Sequence, residues 1–267
     1  MVLSLNVDHR ESAVGFSGSW AMVRRVTKTT LTRTCRAEAA PRPSLGPHSS
    51  IDVLNPPARH LLALLENPAV SIDRVAAAIA VGVDPSAPPE FEPLQALDSL
   101  AAPAEGTISG PTELMEYVFG TLGFAPNASR YYSLDNSLLH EVIEQRRGNP
   151  ISLAIVAIEV GKRLGVHLVP VGMPAHFLIG ASASPGAEPS RWFDPFAAGR
   201  ELSAADARRI FDAITPEASE FSVLMLGETP IPFVAGRILA NLKNAAVRAG
   251  DIGVFVRACE MILGLPG

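Results

Sequence analysis

The run from Pro150 to Leu164 constrains this chain more than any other stretch. Ile151, Leu153, Ile155, Val156, Ile158 and Val160 leave it almost no polar face. A helix apolar nearly all round is buried on most sides, so the rest of the fold must be wrapped about it. Its ends are well marked. Asn149 is a good N-cap, and Pro150 stands at the first helical position, where a missing N–H costs nothing. Lys162, Arg163, Leu164 and Gly165 close the helix with cations at the negative end of its dipole. With 267 residues, 48% of them apolar and 18% charged, the chain can bury one good core and a smaller satellite. No apolar run approaches the ~18 residues of a membrane span. The longest ones are interrupted by Glu159 and by Lys162-Arg163, so a membrane partner is not expected.

The flanking pattern supplies the wrapping. Helical spacing is read from His60 to Glu66, from Ser71 to Val81, around Leu94, Leu97 and Leu100, and from Pro111 to Leu122 with Gly123 as its end. Residues 84–90 and 101–111 are rich in Pro, Gly, Ala and Ser and read as loops. Asp135 or Ser137 is expected to cap a helix carrying Leu138, Leu139, Val142 and Ile143, with Gly148 as its left-handed exit. Downstream, Val166–Gly172, Ala175–Gly180 and Arg191–Asp194 are short apolar runs read as strands, joined across the loop 181–190. If Gly180 pairs with Arg191, paired numbers sum to 371 and His176 lies opposite residue 195, one step from Asp194. A slip of one residue would change the face Asp194 uses. Ser203 caps a helix to about Ile214. Val234–Gly250 and Asp251–Leu263 then form a repeat-sized helical hairpin. Helical repeats are stable in stacks, so a single pair should dock on the main core.

Charge divides the chain. Residues 1–50 carry a balance of +4, and the remaining chain one of −9, within a net charge of −5. The segment 1–50 has no periodic apolar face and no secretory h-region, and is read as a disordered basic tail. The acidic body argues against nucleic acid as a partner. Cys35 and Cys259 are the only cysteines, too few and too unlike in context for a disulfide framework or a thiolate metal site. That favours a reducing, cytoplasmic setting. The histidines show no metal spacing, and no cofactor is implied.

A His and an Asp meeting across neighbouring strands, below the start of a buried helix, outline a papain-like or transglutaminase-like site. His176 and Asp194 are that pair here. The carboxylate would fix the imidazole tautomer and make the His a base, or the two would form a purely structural hydrogen bond. The runs G-F-A-P-N-A-S-R-Y-Y-S-L-D-N-S, R-R-G-N-P-I-S-L, R-L-G, P-A-H-F-L and F-D-P-F-A-A-G-R-E-L resemble the SirB-type transglutaminase-like family of bacteria from about Leu61 onward. The run R-I-L-A-N-L-K at 237–243 resembles the place where that family's tetratricopeptide-like helices begin. Ala175 departs from the Gly usual before the family's His, and the repeat region is short. The resemblance implies an α+β fold in which a buried helix packs on a small antiparallel sheet. N-terminal helices precede that core, within 51–230, and a helix pair follows at 231–267.

Such a core reads G-x-C-x-x-x-A at the start of its helix. Gly148 and Ala154 match the ends of that pattern, which sets Pro150 in the thiol position. Ser152 is the nearest hydroxyl, but it lies about 200° further round a helix of ~3.6 residues per turn, and a first-turn serine commonly bonds to backbone. Asn136, Ser137, Arg147, Asn149, Pro150 and Trp192 are candidate walls of the cleft. The reading is a protein- or peptide-binding module without thiol catalysis. The alternative is a hydrolase or acyl transferase in which His176 and Asp194 act with water or with Ser152.

Overall fold

The computed structural model describes residues 54–266 apart from 175, 185 and 216–219. The basic segment 1–50, with Cys35, lies outside them. The helices are α1 (Pro56–Leu65), α2 (Ile72–Val83), α3 (Phe91–Ala101), α4 (Pro111–Met115), α5 (Leu139–Gln145), α6 (Pro150–Arg163), α7 (Ala204–Ile214), α8 (Ile231–Ala249) and α9 (Ile252–Leu263). The strands are β1 (Ala125–Pro126), β2 (Arg147–Gly148), β3 (Leu168–Val171), β4 (Leu178–Ala181), β5 (Arg191–Asp194) and β6 (Arg200–Leu202). β1 and β2 make a short parallel ladder, and β3-β4-β5-β6 an antiparallel sheet in chain order. The fold is α+β.

The apolar helix α6 is central, as its composition requires. Leu153, Ala154, Val156, Ala157 and Val160 are wholly buried. Helices α2, α3, α4 and α5 pack around α6 together with strands β3 and β4. Ile179, Ala181 and Phe193 face this main core, while Leu178 joins Val169, Val171, Leu202 and Phe211 of α7 in a second cluster. The sheet is thus covered on both faces, which is why β3 and β4 read as unbroken apolar runs. Arg163, at the end of α6, ties three helices together. Its guanidinium reaches Asp73 of α2 at 3.0 Å, Asp98 of α3 at 2.6 Å and Glu159 of its own helix at 3.1 Å.

The C-terminal hairpin docks on this body. α8 and α9 meet across Gly250 and Asp251, whose carboxylate accepts the Val254 N–H at 2.9 Å. Val234, Ile238, Leu239, Leu242 and Met261 belong to the same core cluster as α2 and α6.

Several expectations are corrected. The left-handed exit of α5 is Arg146, at φ 55°, and not Gly148. Gly148 is required for another reason: a Cβ there would stand 2.5 Å from Ser152 Oγ and 3.1 Å from Val142 Cγ1. Neither Asp135 nor Ser137 caps α5. Leu138 holds the N-cap position without a side-chain bond, and residues 134–137 form a separate 3₁₀ turn. The helix opened by Pro111 widens into a π-helix over Glu116–Thr121. The β4–β5 register pairs Ala181 with Arg191 and Gly180 with Trp192, so partners sum to 372 rather than 371. His176 lies two residues ahead of β4, in a loop rather than on a strand.

Candidate functional site

The register correction matters at His176 and Asp194. Extended by one step, the observed pairing sets Asp194 opposite Leu178, and the loop ahead of β4 brings His176 beside that carboxylate. His176 Nε2 lies 3.2 Å from Asp194 Oδ2, with side chains 15% and 7% exposed. The nitrogen is buried and has no formed hydrogen bond, so the pair is in contact without a bond. Such bonds often align only when a ligand closes the site. The other carboxylate oxygen, Oδ1, accepts the Phe196 and Ala197 N–H groups at 2.8 and 3.3 Å. Asp194 thus caps the turn Pro195–Ala197, and that cap anchors the carboxylate. No described residue is hydrogen-bonded to His176 Nδ1.

A second group of candidates collects at the start of α6. Asn149 Oδ1 accepts the N–H groups of Ile151 and Ser152 at 2.9 and 3.0 Å. Ser152 Oγ completes the capping box by accepting the Asn149 N–H at 3.1 Å, and donates to the Asn136 carbonyl at 2.6 Å. Asn149 Nδ2 donates to Ser137 Oγ at 2.8 Å. Asn136 is equally engaged, its amide nitrogen reaching the carbonyls of Arg130 and Tyr131 and its oxygen accepting from Asn127. Pro150 follows at the first position of α6. These buried polar groups satisfy one another.

Two candidates stand elsewhere. Arg147 is exposed and donates to the Gly123 carbonyl at 3.1 Å. Trp192 donates its indole N–H to the Leu226 carbonyl at 2.9 Å and packs against the second cluster. Cys259, in α9, is half-buried, and burial pushes its thiol up. Among the described residues no group of three or more His, Cys, Asp or Glu could hold a metal ion, and no helix is long and apolar enough to cross a membrane.

Three residues that sequence reasoning did not single out connect the two groups. The Tyr131 ring stands edge-on to Phe196, with centroids 5.8 Å apart, and to Tyr132 at 5.1 Å. Tyr131 is 40% exposed. Burial pushes its hydroxyl up, Tyr132 adds to that, and nearby Arg237 opposes it. Arg237 is driven down to about 10 by burial. It donates to the Met173 and His176 carbonyls, both at 3.0 Å. The signal for all three was their place inside the quoted motifs, Y-Y, D-P-F and R-I-L. On the far side of the Asp194 turn, Phe193, Gly199, Met115, Phe119, Glu116 and Glu201 line an open groove of about 380 Å³.

A family model described as the transglutaminase-like superfamily matches residues 92–240. A UPF0162 protein of Xylella fastidiosa is 36% identical over 152 residues, which make up 56% of this chain and 53% of that protein. A UPF0162 protein of Pseudomonas aeruginosa is 28% identical over 130 residues, 49% of this chain and 46% of that one. Human F-box only protein 21 is 27% identical over 146 residues, 52% of this chain but 22% of that protein. The chain spans about half the length of the UPF0162 relatives. No solved structure matches it.

Proposed function

The chain belongs to the transglutaminase-like superfamily, and on that premise we propose that it is a protein- or peptide-binding module of the SirB type that has lost thiol catalysis. One observation carries this reading: the buried polar groups at the start of α6 are committed to one another, which leaves that helix end without a nucleophile. In the pattern G-x-C-x-x-x-A, Pro150 takes the thiol position, and proline offers no reactive atom. Ser152, the nearest hydroxyl, is held by Asn149 and Asn136 in a cap. The exposed faces of Tyr131 and Tyr132, beside Phe196, then serve as contact surface for an extended segment. That a similar module covers only 22% of a human protein supports its use as one part of larger proteins.

The test pairs capture with catalysis. The reading expects a partner retained by the protein and released by Tyr131→Ala, together with no turnover in a screen of amides and esters. Turnover abolished by His176→Ala, with no partner retained, would replace it. The second reading, a hydrolase or acyl transferase using water, is favoured by a specific contact. The 3.2 Å approach of Asp194 to His176 Nε2 leaves Nδ1 as the nitrogen able to act as base. General-base assistance of that kind supplies about 10²–10⁴-fold.

A further inference from the structure

The loop that presents His176 is held from outside the sheet. Within the loop, the His176 N–H bonds the Met173 carbonyl at 3.1 Å. Four further bonds come from the C-terminal part of the chain. Thr229 donates its N–H to the Pro170 carbonyl at 2.8 Å and accepts the Gly172 N–H on its hydroxyl at 2.6 Å. Arg237 of α8 adds the other two, one from each terminal nitrogen, to Met173 and His176. Its guanidinium also lies 5.2 Å from the centroid of the Phe177 ring. The approach is close: a Cβ at Gly172 would stand 3.0 Å from Thr229 Oγ1 and 3.1 Å from Arg237 Nη1.

We infer that Arg237 is the positioning residue of the His176–Asp194 pair, so that helix α8 belongs to the site and its movement alters how the imidazole is presented. The planar fork of an arginine can hold two carbonyls three residues apart in one rigid geometry, which a lysine's point charge cannot do. Removing it leaves the His176 carbonyl without its donor and the Met173 carbonyl with the His176 N–H alone, and so loosens the backbone on which His176 is carried. The pair at 3.2 Å is then no longer held. A partner that shifts the helix pair would in this way act on the His–Asp pair directly. The inference rests on His176 and Asp194 being the working part of the site, but its test reads the imidazole itself and requires neither ligand nor turnover.

The experiment is nitrogen NMR of imidazole-labelled protein, with the His176 signals identified by their loss in His176→Gln. In the unaltered protein one signal set is expected, with the proton on Nε2 beside Asp194. Arg237→Met should replace it with shifted or averaged signals as the ring leaves that contact, and Arg237→Lys should not restore it. Leu242→Ala, a buried change further along the same helix, should lower the melting temperature while leaving the signals in place. Should Arg237→Met fail to fold, Thr229→Val loosens the same loop and should shift the signals in the same direction. Wild-type signals in a folded Arg237→Met or Thr229→Val, or an equal change in Leu242→Ala, would overturn the inference. Full restoration by lysine would overturn the fork in favour of charge alone.

Discussion

At the scale of single residues, Pro150 and Ser152 carry the question of chemistry. Both sit in the first turn of α6, where the positive end of the helix dipole favours an anion and Asn149 already takes the Ile151 and Ser152 N–H groups. If Pro150 holds the thiol position, Pro150→Cys should rebuild a Cys–His–Asp constellation with His176 and Asp194. The introduced thiol should titrate well below the ~8.5 of a free cysteine. Iodoacetamide labelling against pH, in a Cys35→Ser, Cys259→Ser background, should show rapid reaction near neutrality. His176→Ala should slow it and move the titration upward. A thiol that titrates as a free cysteine and ignores His176 would place the slot elsewhere. Ser152 would not then be the natural substitute, because its proton already goes to the Asn136 carbonyl at 2.6 Å.

At the scale of elements, α6 is both the core of the fold and the platform of the candidate site. Ile155, 2% exposed, should lose about 2–5 kcal/mol on truncation to Ala. His176→Ala removes the 3.2 Å contact with Asp194, which falls short of a formed hydrogen bond worth about 0.5–1.5 kcal/mol. Denaturant melts should therefore rank Ile155→Ala as much the more damaging. Equal losses would make His176 a core residue. The same helix carries a pH-dependent tie. Burial, and next the charge of Asp73, raise the Glu159 carboxyl, with Lys162 and Arg163 opposing. A carboxyl raised in the folded state binds its proton more readily there than in the unfolded chain. Its contribution is then fully present below the unfolded value and is lost as pH rises through the folded one. Relative to Glu159→Gln, the unaltered protein should gain stability as pH falls from neutral toward the ordinary carboxylate range. Melting curves of the two proteins at several pH values check this, and an unaltered protein that loses stability relative to Glu159→Gln on acidification would reverse the sign.

At the scale of the whole molecule, the helix pair and the sheet share one core cluster, and the family match at 92–240 runs from α3 into α8. The segment 1–50 stands apart in composition. With no periodic apolar face it has little surface to bury against the entropy of ordering. Deleting it should leave the melting temperature nearly unchanged, and a fall of several degrees in a calorimetric scan would show that it packs.

Several local signals in the sequence determined local structure. Asn149-Pro150 opens α6, Ser203 caps α7, Asp251 caps α9, and the unbroken apolar run of α6 is buried as its composition demands. These features depend on neighbours within a turn or two of one another, so a linear reading holds them. His176 and Asp194 were legible as a pair because short strands around one loop bring them close whichever register is adopted. The face Asp194 uses was not legible, since a one-residue shift in pairing reverses it and only packing on both sides of the sheet selects 372 over 371. Gly148 was read for its backbone freedom, whereas its reason is the nearness of Ser152. The engagement of Ser152 with Asn136, the Tyr131–Phe196 contact and the hold of Arg237 on the His176 carbonyl join residues far apart along the chain. Such contacts depend on how helices and sheet dock, and tertiary structure alone decided them.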